Sequence, residues 1–87
     1  MFHAYHNHAT NDCVRQGFQM VFANGVRASV AFGSFNYCDK GVTTAEVWAW
    51  NDATGNPVTV PGFSSGDVVG HLSADTVVQY LAAVAAL

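Results

Sequence analysis

Two apolar runs meet at Asn24-Gly25, and that dipeptide constrains the fold more than any other feature of the chain. One run spans Gly17 to Ala23 and the other Val26 to Phe32. Asn-Gly between such runs is the strongest short-range hairpin signal, because both residues tolerate positive φ. Side-chain pairing then selects the register. A two-residue turn sets Phe22 opposite Arg27 and Phe18 opposite Ala31, which mixes polar and apolar groups on each face. A three-residue loop, Ala23-Asn24-Gly25 with Gly25 at positive φ in a bulge, pairs Phe22 with Val26, Met20 with Ala28 and Phe18 with Val30. One face then holds Phe18, Met20, Phe22, Val26, Ala28, Val30 and Phe32, and the other Gln19, Val21, Ala23, Arg27, Ser29 and Ala31. A slip of one residue turns a whole strand over, so the bulged hairpin is the expected one.

Further strands follow. Residues 33–41 read as an aromatic loop, and Thr43 to Trp50 as the next strand, with Thr43, Ala45, Val47 and Ala49 on one face and Thr44, Glu46, Trp48 and Trp50 on the other. Asn51 to Pro57 is a turn by composition. Val58 to Val60, between Pro57 and Pro61, reads as a short edge strand. Val68 to Leu72 is short and extended after a loop from Phe63 to Asp67. Ser73 is a good N-cap, Asp75 suits the first turn, and a helix is expected from about Ala74 to Ala86. The expected fold is α+β: a twisted antiparallel sheet of about four to five strands, with one C-terminal helix on one face, in a single domain covering residues 1–87.

The helix is apolar on more than one side. Ala74, Val77, Val78, Leu81 and Ala85 form the stripe expected to pack on the sheet. Tyr80, Ala83, Val84 and Leu87 are apolar as well, and no polar residue remains beyond Gln79. One sheet covers one side of a helix, so this second stripe is expected to meet another copy in a homo-oligomer. Composition agrees: the chain is 51% hydrophobic and 10% charged, where soluble domains carry about 25% charged residues.

The formal net charge is −3, and the basic residues are Arg15, Arg27 and Lys40. Nucleic-acid binding requires many phosphate-neutralising side chains, so that class is not expected; a single nucleotide needs far fewer. The N-terminus has no basic and apolar leader pattern, and no run reaches the roughly 18 apolar residues of a membrane span. A cytosolic protein is the expectation, with Cys13 and Cys38 as free thiols.

The types of residue that support chemistry are sparse. His3, His6 and His8 with Cys13 have metal-ligand character, but neither C-x-x-C nor H-E-x-x-H accompanies them, and histidines on a terminal strand or arm are the expected reading. No G-x-S-x-G elbow, P-loop or spaced carboxylate pair occurs, so no catalytic residues and no cofactor are expected. His71 reads as a partly buried histidine ahead of the helix. Trp48 and Trp50 share a strand face beside Glu46. Adjacent indoles cover a core by default; if small Ala45 and Ala49 sit beneath the helix instead, the indoles face outward as a ligand platform. The loop residues Asn36, Tyr37 and Asp39, with Arg27 and Arg15 available, supply groups that can stack on and bind a nucleotide base; the alternative is a loop packed on its own aromatics.

Phe22-Ala23-Asn24-Gly25, then Ser29 to Gly33, Asn36-Tyr37-Cys38, Thr44 to Val47 with Trp50, and Val69 to Ser73 form a pattern over residues 17–81. That pattern resembles a group of small bacteriophage accessory proteins, in which an F-x-N-G hairpin leads to an S-V-x-[FW]-G-x-x-N-Y-C loop and an A-E-V-x-x-W strand. The resemblance implies a phage protein made in the host cytoplasm. Small phage proteins of this kind are often dispensable modulators of host biology, including inhibitors of antiviral defence that block a host protein or take up a nucleotide immune signal as an oligomeric sponge. The expected function is therefore non-enzymatic ligand binding as a homo-oligomer, at Asn36, Tyr37, Asp39, Trp48, Trp50 and Arg27. The alternatives are a direct blocker of a host protein, and a structural or virion-associated part.

Overall fold

The computed structural model describes residues 2–6, 16–32, 44–63 and 68–87. An antiparallel sheet is followed by one helix, the expected α+β arrangement. β1 (Phe2–His6), β2 (Gln16–Val21), β3 (Val26–Ala31), β4 (Thr44–Asn51) and β5 (Val69–Ser73) lie side by side in sequence order. Strands β2 to β5 form the body of the sheet, and β1 adds to it along β2. The helix α1 (Ala74–Ala85) continues directly from β5.

The hairpin of β2 and β3 takes the bulged register. Phe18 pairs with Val30 and Met20 with Ala28. The Phe22 N–H donates to the Val26 carbonyl at 2.9 Å, and the Gly25 N–H to the Phe22 carbonyl at 3.0 Å. Gly25 has φ 83°, a conformation glycine adopts at no steric cost. The Asn24 side-chain oxygen accepts from the Val26 N–H at 3.1 Å and steadies the turn.

Along β4, Ala45, Val47 and Ala49 are buried on the helix side, while Thr44, Glu46, Trp48 and Trp50 are half-buried on the other. Of the two arrangements open from sequence, the one with the small residues under the helix is found. One edge of β4 is shared. β5 pairs with it from Thr44 to Val47, and further along, Pro57 bridges Trp50 while the Val58 N–H donates to the Ala49 carbonyl at 3.2 Å. The strand expected at 58–60 is thus reduced to isolated bridge residues, Pro57 and Thr59, because Pro57 and Pro61 have no N–H to extend a ladder. Val60 is still only 1% exposed and belongs to the core.

In β5, Ser73 pairs with Thr44, Leu72 with Ala45, and Val69 with Val47, so Gly70 and His71 together oppose Glu46. Two residues facing one make a β-bulge. His71 takes φ 57° there and its side chain is exposed, a correction to the partly buried position expected. Three residues on, at Ala74, the helix begins. The Ser73 hydroxyl accepts from the Thr76 N–H at 3.3 Å as N-cap, and Asp75 lies in the first turn.

The helix is rotated relative to the expected orientation. Tyr80 and Val84, assigned above to an outer oligomer surface, are 2% and 0% exposed against the chain's own sheet. Ala83 is half-buried beside the core, and Leu87 is exposed. Val78, expected beneath, is 66% exposed, and Ala74 and Ala85 are exposed too. The expected inward side and the observed one share Val77 and Leu81, so the outcome depends on the exchange of Val78 and Ala85 for Tyr80 and Val84. The second pair hides more apolar area. Tyr80 also gains an edge-to-face contact with Phe63, ring centroids 5.0 Å apart, from a loop whose position is not legible in sequence. Burial pushes the Tyr80 hydroxyl up from 10.0 to about 12.

The core lies between α1 and strands β3, β4 and β5: Ala28, Val30, Ala45, Val47, Ala49, Leu72, Tyr80 and Val84 with Val26 and Val60. Ala28 and Ala49 are wholly buried and let the helix approach the sheet closely. The helix stops short of β1 and β2. Its far end is tied down by the hairpin turn: the Asn24 side-chain amino group donates to the main-chain oxygens of Val84 at 2.8 Å and Leu87 at 3.1 Å.

Candidate functional site

The sheet face away from α1 gathers three of the expected site residues. The pleat sends alternate side chains of β3 and β4 to this face, and the antiparallel register sets Arg27 opposite Trp50 and Ser29 opposite Trp48. The two indole rings lie 4.8 Å apart, centroid to centroid, with planes tilted by 35°. Both residues are half-buried. Serine across from Trp48 leaves the surface low beside that ring. Ala31, opposite Glu46, is buried.

Arg27 is held rather than mobile. Its Nε donates to Asp52 Oδ1 at 2.7 Å and its Nη1 to Gln19 Oε1 at 2.8 Å. Asp52 owes its position to the turn after β4. The Asp52 N–H donates to the Gly25 carbonyl at 2.9 Å, and the Asn51 side-chain oxygen accepts from the N–H groups of Ala53 at 2.9 Å and Thr54 at 3.1 Å. The ion pair is partly open to solvent, 22% and 37% exposed, and pairs of that kind contribute at most about 1 kcal/mol to stability. Its effect is geometric. A guanidinium has five N–H donors in a planar fork, and two are committed here, which fixes the direction of the rest. Indole faces accept planar rings, and a guanidinium edge accepts carboxylate or phosphate oxygens.

Asn36, Tyr37 and Asp39, the other expected contacts, lie outside the described residues, as do Cys13, Arg15, Cys38, Lys40 and His8. His3 and His6 fall on β1, His3 in register with Gln19 and His6 with Gln16. Among the described residues no group of three or more His, Cys, Asp and Glu side chains is disposed to hold a metal ion, and no helix is long and apolar enough to cross a membrane. Gln19 and Asp52 are the site residues that sequence reading missed. Gln19 was legible in principle, since the hairpin register already places it on the face of Arg27. Asp52 needed the β3–β4 register, and the long connection between those strands gives no turn geometry to set it.

A second concavity lies on the opposite side of the sheet. Phe18, Val30 and Phe32 form its floor, and Val77, Val78 and Leu81 of α1 its wall. It encloses about 410 Å³ and is lined almost entirely by carbon. Comparison with protein-family models, with curated proteins and with solved structures brought no match to this chain.

Proposed function

We propose that the chain is a non-enzymatic binding protein that holds a planar ring compound, carrying one acidic group, against Trp48 and Trp50. In the phage setting implied by the sequence pattern, that compound is a nucleotide-derived signal of host defence, sequestered in the host cytoplasm. The observation that supports this reading best is the half-exposed indole pair on the face away from the helix, beside a guanidinium fixed in direction by Asp52 and Gln19. The charge balance limits the ligand. Arg27 shares the face with Asp52 and Glu46, and a polyanion would meet those carboxylates.

Trp48 and Trp50 are the two tryptophans of the chain, so intrinsic fluorescence reports on this surface directly. Titration with nucleosides, nucleoside monophosphates and cyclic dinucleotides is expected to give saturable quenching with at least one. Trp50→Ala should weaken that ligand by about 1–3 kcal/mol, the usual value of one base–aromatic stack. Arg27→Gln should weaken the monophosphate while leaving the nucleoside unchanged. Quenching that never saturates at millimolar concentration, for every compound tried, would reject the reading.

A further inference from the structure

Asn24-Gly25 is the one Asn-Gly pair in the chain, and such a pair has a chemistry of its own. The glycine main-chain nitrogen can attack the side-chain carbonyl carbon of the asparagine, Cγ, because glycine has no Cβ to stand in the way. The N–Cγ bond forms, the Cγ–Nδ2 bond breaks, and the proton of the glycine nitrogen leaves with Nδ2 as ammonia. The product is a cyclic imide, a succinimide. Water then opens the ring at one of its carbonyls. Opening at Cγ gives aspartate. Opening at the main-chain carbon gives isoaspartate, whose main chain runs through the former side chain. Water is the only co-reactant.

In this molecule the pair is open to water but is not free to react. Asn24 and Gly25 are both exposed, and beyond its chain neighbours nothing lies within 4 Å of where a Cβ on Gly25 would stand. Yet each atom that has to move is held. Nδ2, the leaving group, donates to the main-chain oxygens of Val84 at 2.8 Å and Leu87 at 3.1 Å. Oδ1 accepts from the Val26 N–H at 3.1 Å. The N–H of Gly25, the attacking group, donates to the Phe22 carbonyl at 3.0 Å. Ring closure must turn the carboxamide and strip that nitrogen of its proton, so these bonds have to break first. Both bonds to Nδ2 come from the end of α1.

We infer that Asn24-Gly25 is a self-modifying site latched by the end of α1. It stays asparagine while the last helical turn is closed, converts when that turn opens, and cannot be latched again. The last part follows from the product. A carboxylate at position 24 has no N–H to give to the Val84 and Leu87 oxygens. Its charge lies at the negative end of the helix dipole, where α1 has no basic residue to offset it. Isoaspartate also lengthens the main chain of a turn whose length sets the hairpin register. None of this involves Trp48, Trp50 or Arg27, so the latch stands or falls independently of the ligand proposed above.

The test is the rate at which residue 24 converts in the full chain in neutral buffer, read by mass spectrometry of the peptide that contains it. The folded chain should convert at least about tenfold more slowly than the urea-unfolded one, because the hydrogen bonds to Nδ2 and Oδ1 must be given up to reach the reactive form. Equal rates would overturn the inference, and so would a chain that does not convert even when unfolded. Ala85→Gly and Ala74→Gly make the same exchange at exposed positions at opposite ends of α1. Ala85→Gly should speed conversion of the folded chain by about threefold or more, through the lower helix propensity of glycine, while Ala74→Gly should leave it near wild type. Equal acceleration by both would overturn the latch, since the site would then open only with the whole fold. Converted chains, separated by their extra negative charge, should unfold at lower urea than unconverted ones. An unchanged midpoint would mean that nothing had been latched.

Discussion

Asn24 belongs to two elements at once. Its side-chain oxygen serves the hairpin turn, and its amino group holds the last carbonyls of a helix 60 residues away in sequence. Helix C-termini leave such carbonyls without partners, and α1 has no basic residue in its last turn to help. Asn24→Asp keeps the acceptor, loses the donor, and puts a negative charge at the negative end of the helix dipole. It should lower stability to urea by about 1–2 kcal/mol, whereas a role confined to the turn would leave it near wild type. Tyr80 makes a second residue-level prediction. Its hydroxyl ionises at 10.0 when unfolded and about 12 when folded, so the fold favours the neutral form. Stability from this source is complete below pH 10 and is lost as pH rises through 10 toward 12. Tyr80→Phe removes the group, and the stability of wild type relative to that variant should be flat up to about pH 9 and decline above 10.

The contact between helix and sheet depends on how little the sheet projects. Ala28 and Ala49 are each 0% exposed in the core they share with Tyr80 and Val84 of α1, and a larger side chain there must displace its neighbours or leave its rotamer. Ala49→Leu is expected to cost about 1–3 kcal/mol by overpacking, measured as a fall in the urea midpoint at unchanged slope; a neutral result would mean that the helix is not held closely. The hairpin, the N-cap at Ser73 and the alternation of β4 were legible because each follows from a local rule: loop length sets register, a hydroxyl precedes the helix, and a strand has period 2. The rotation of α1 was not. The stripe expected to face the sheet and the one that does so both contain Val77 and Leu81, and Tyr80 in the second also meets Phe63, which no local pattern links to it. The strand expected at 58–60 failed for a reason visible beforehand, namely that prolines flank it.

For the molecule as a whole, the sheet separates two surfaces of different character. One carries indoles, a fixed guanidinium and carboxylates; the other carries apolar side chains around a groove. Half of the candidate site was legible in sequence, since Arg27, Trp48 and Trp50 do share a face. The anchoring of Arg27 was not, because Gln19, Arg27 and Asp52 come from β2, β3 and the turn after β4, and only the folded sheet makes them neighbours. The tie between hairpin and helix also bears on how the molecule opens. Fraying of the last helical turn cannot proceed without releasing the Asn24 carboxamide, and release of that group loosens the turn it braces. Turn and tail should therefore breathe as one cooperative unit. In native-state hydrogen exchange the amides of Gly25, Val26 and Ala86 should share one opening free energy, and Asn24→Ala should split them into a slow strand end and a fast helix end.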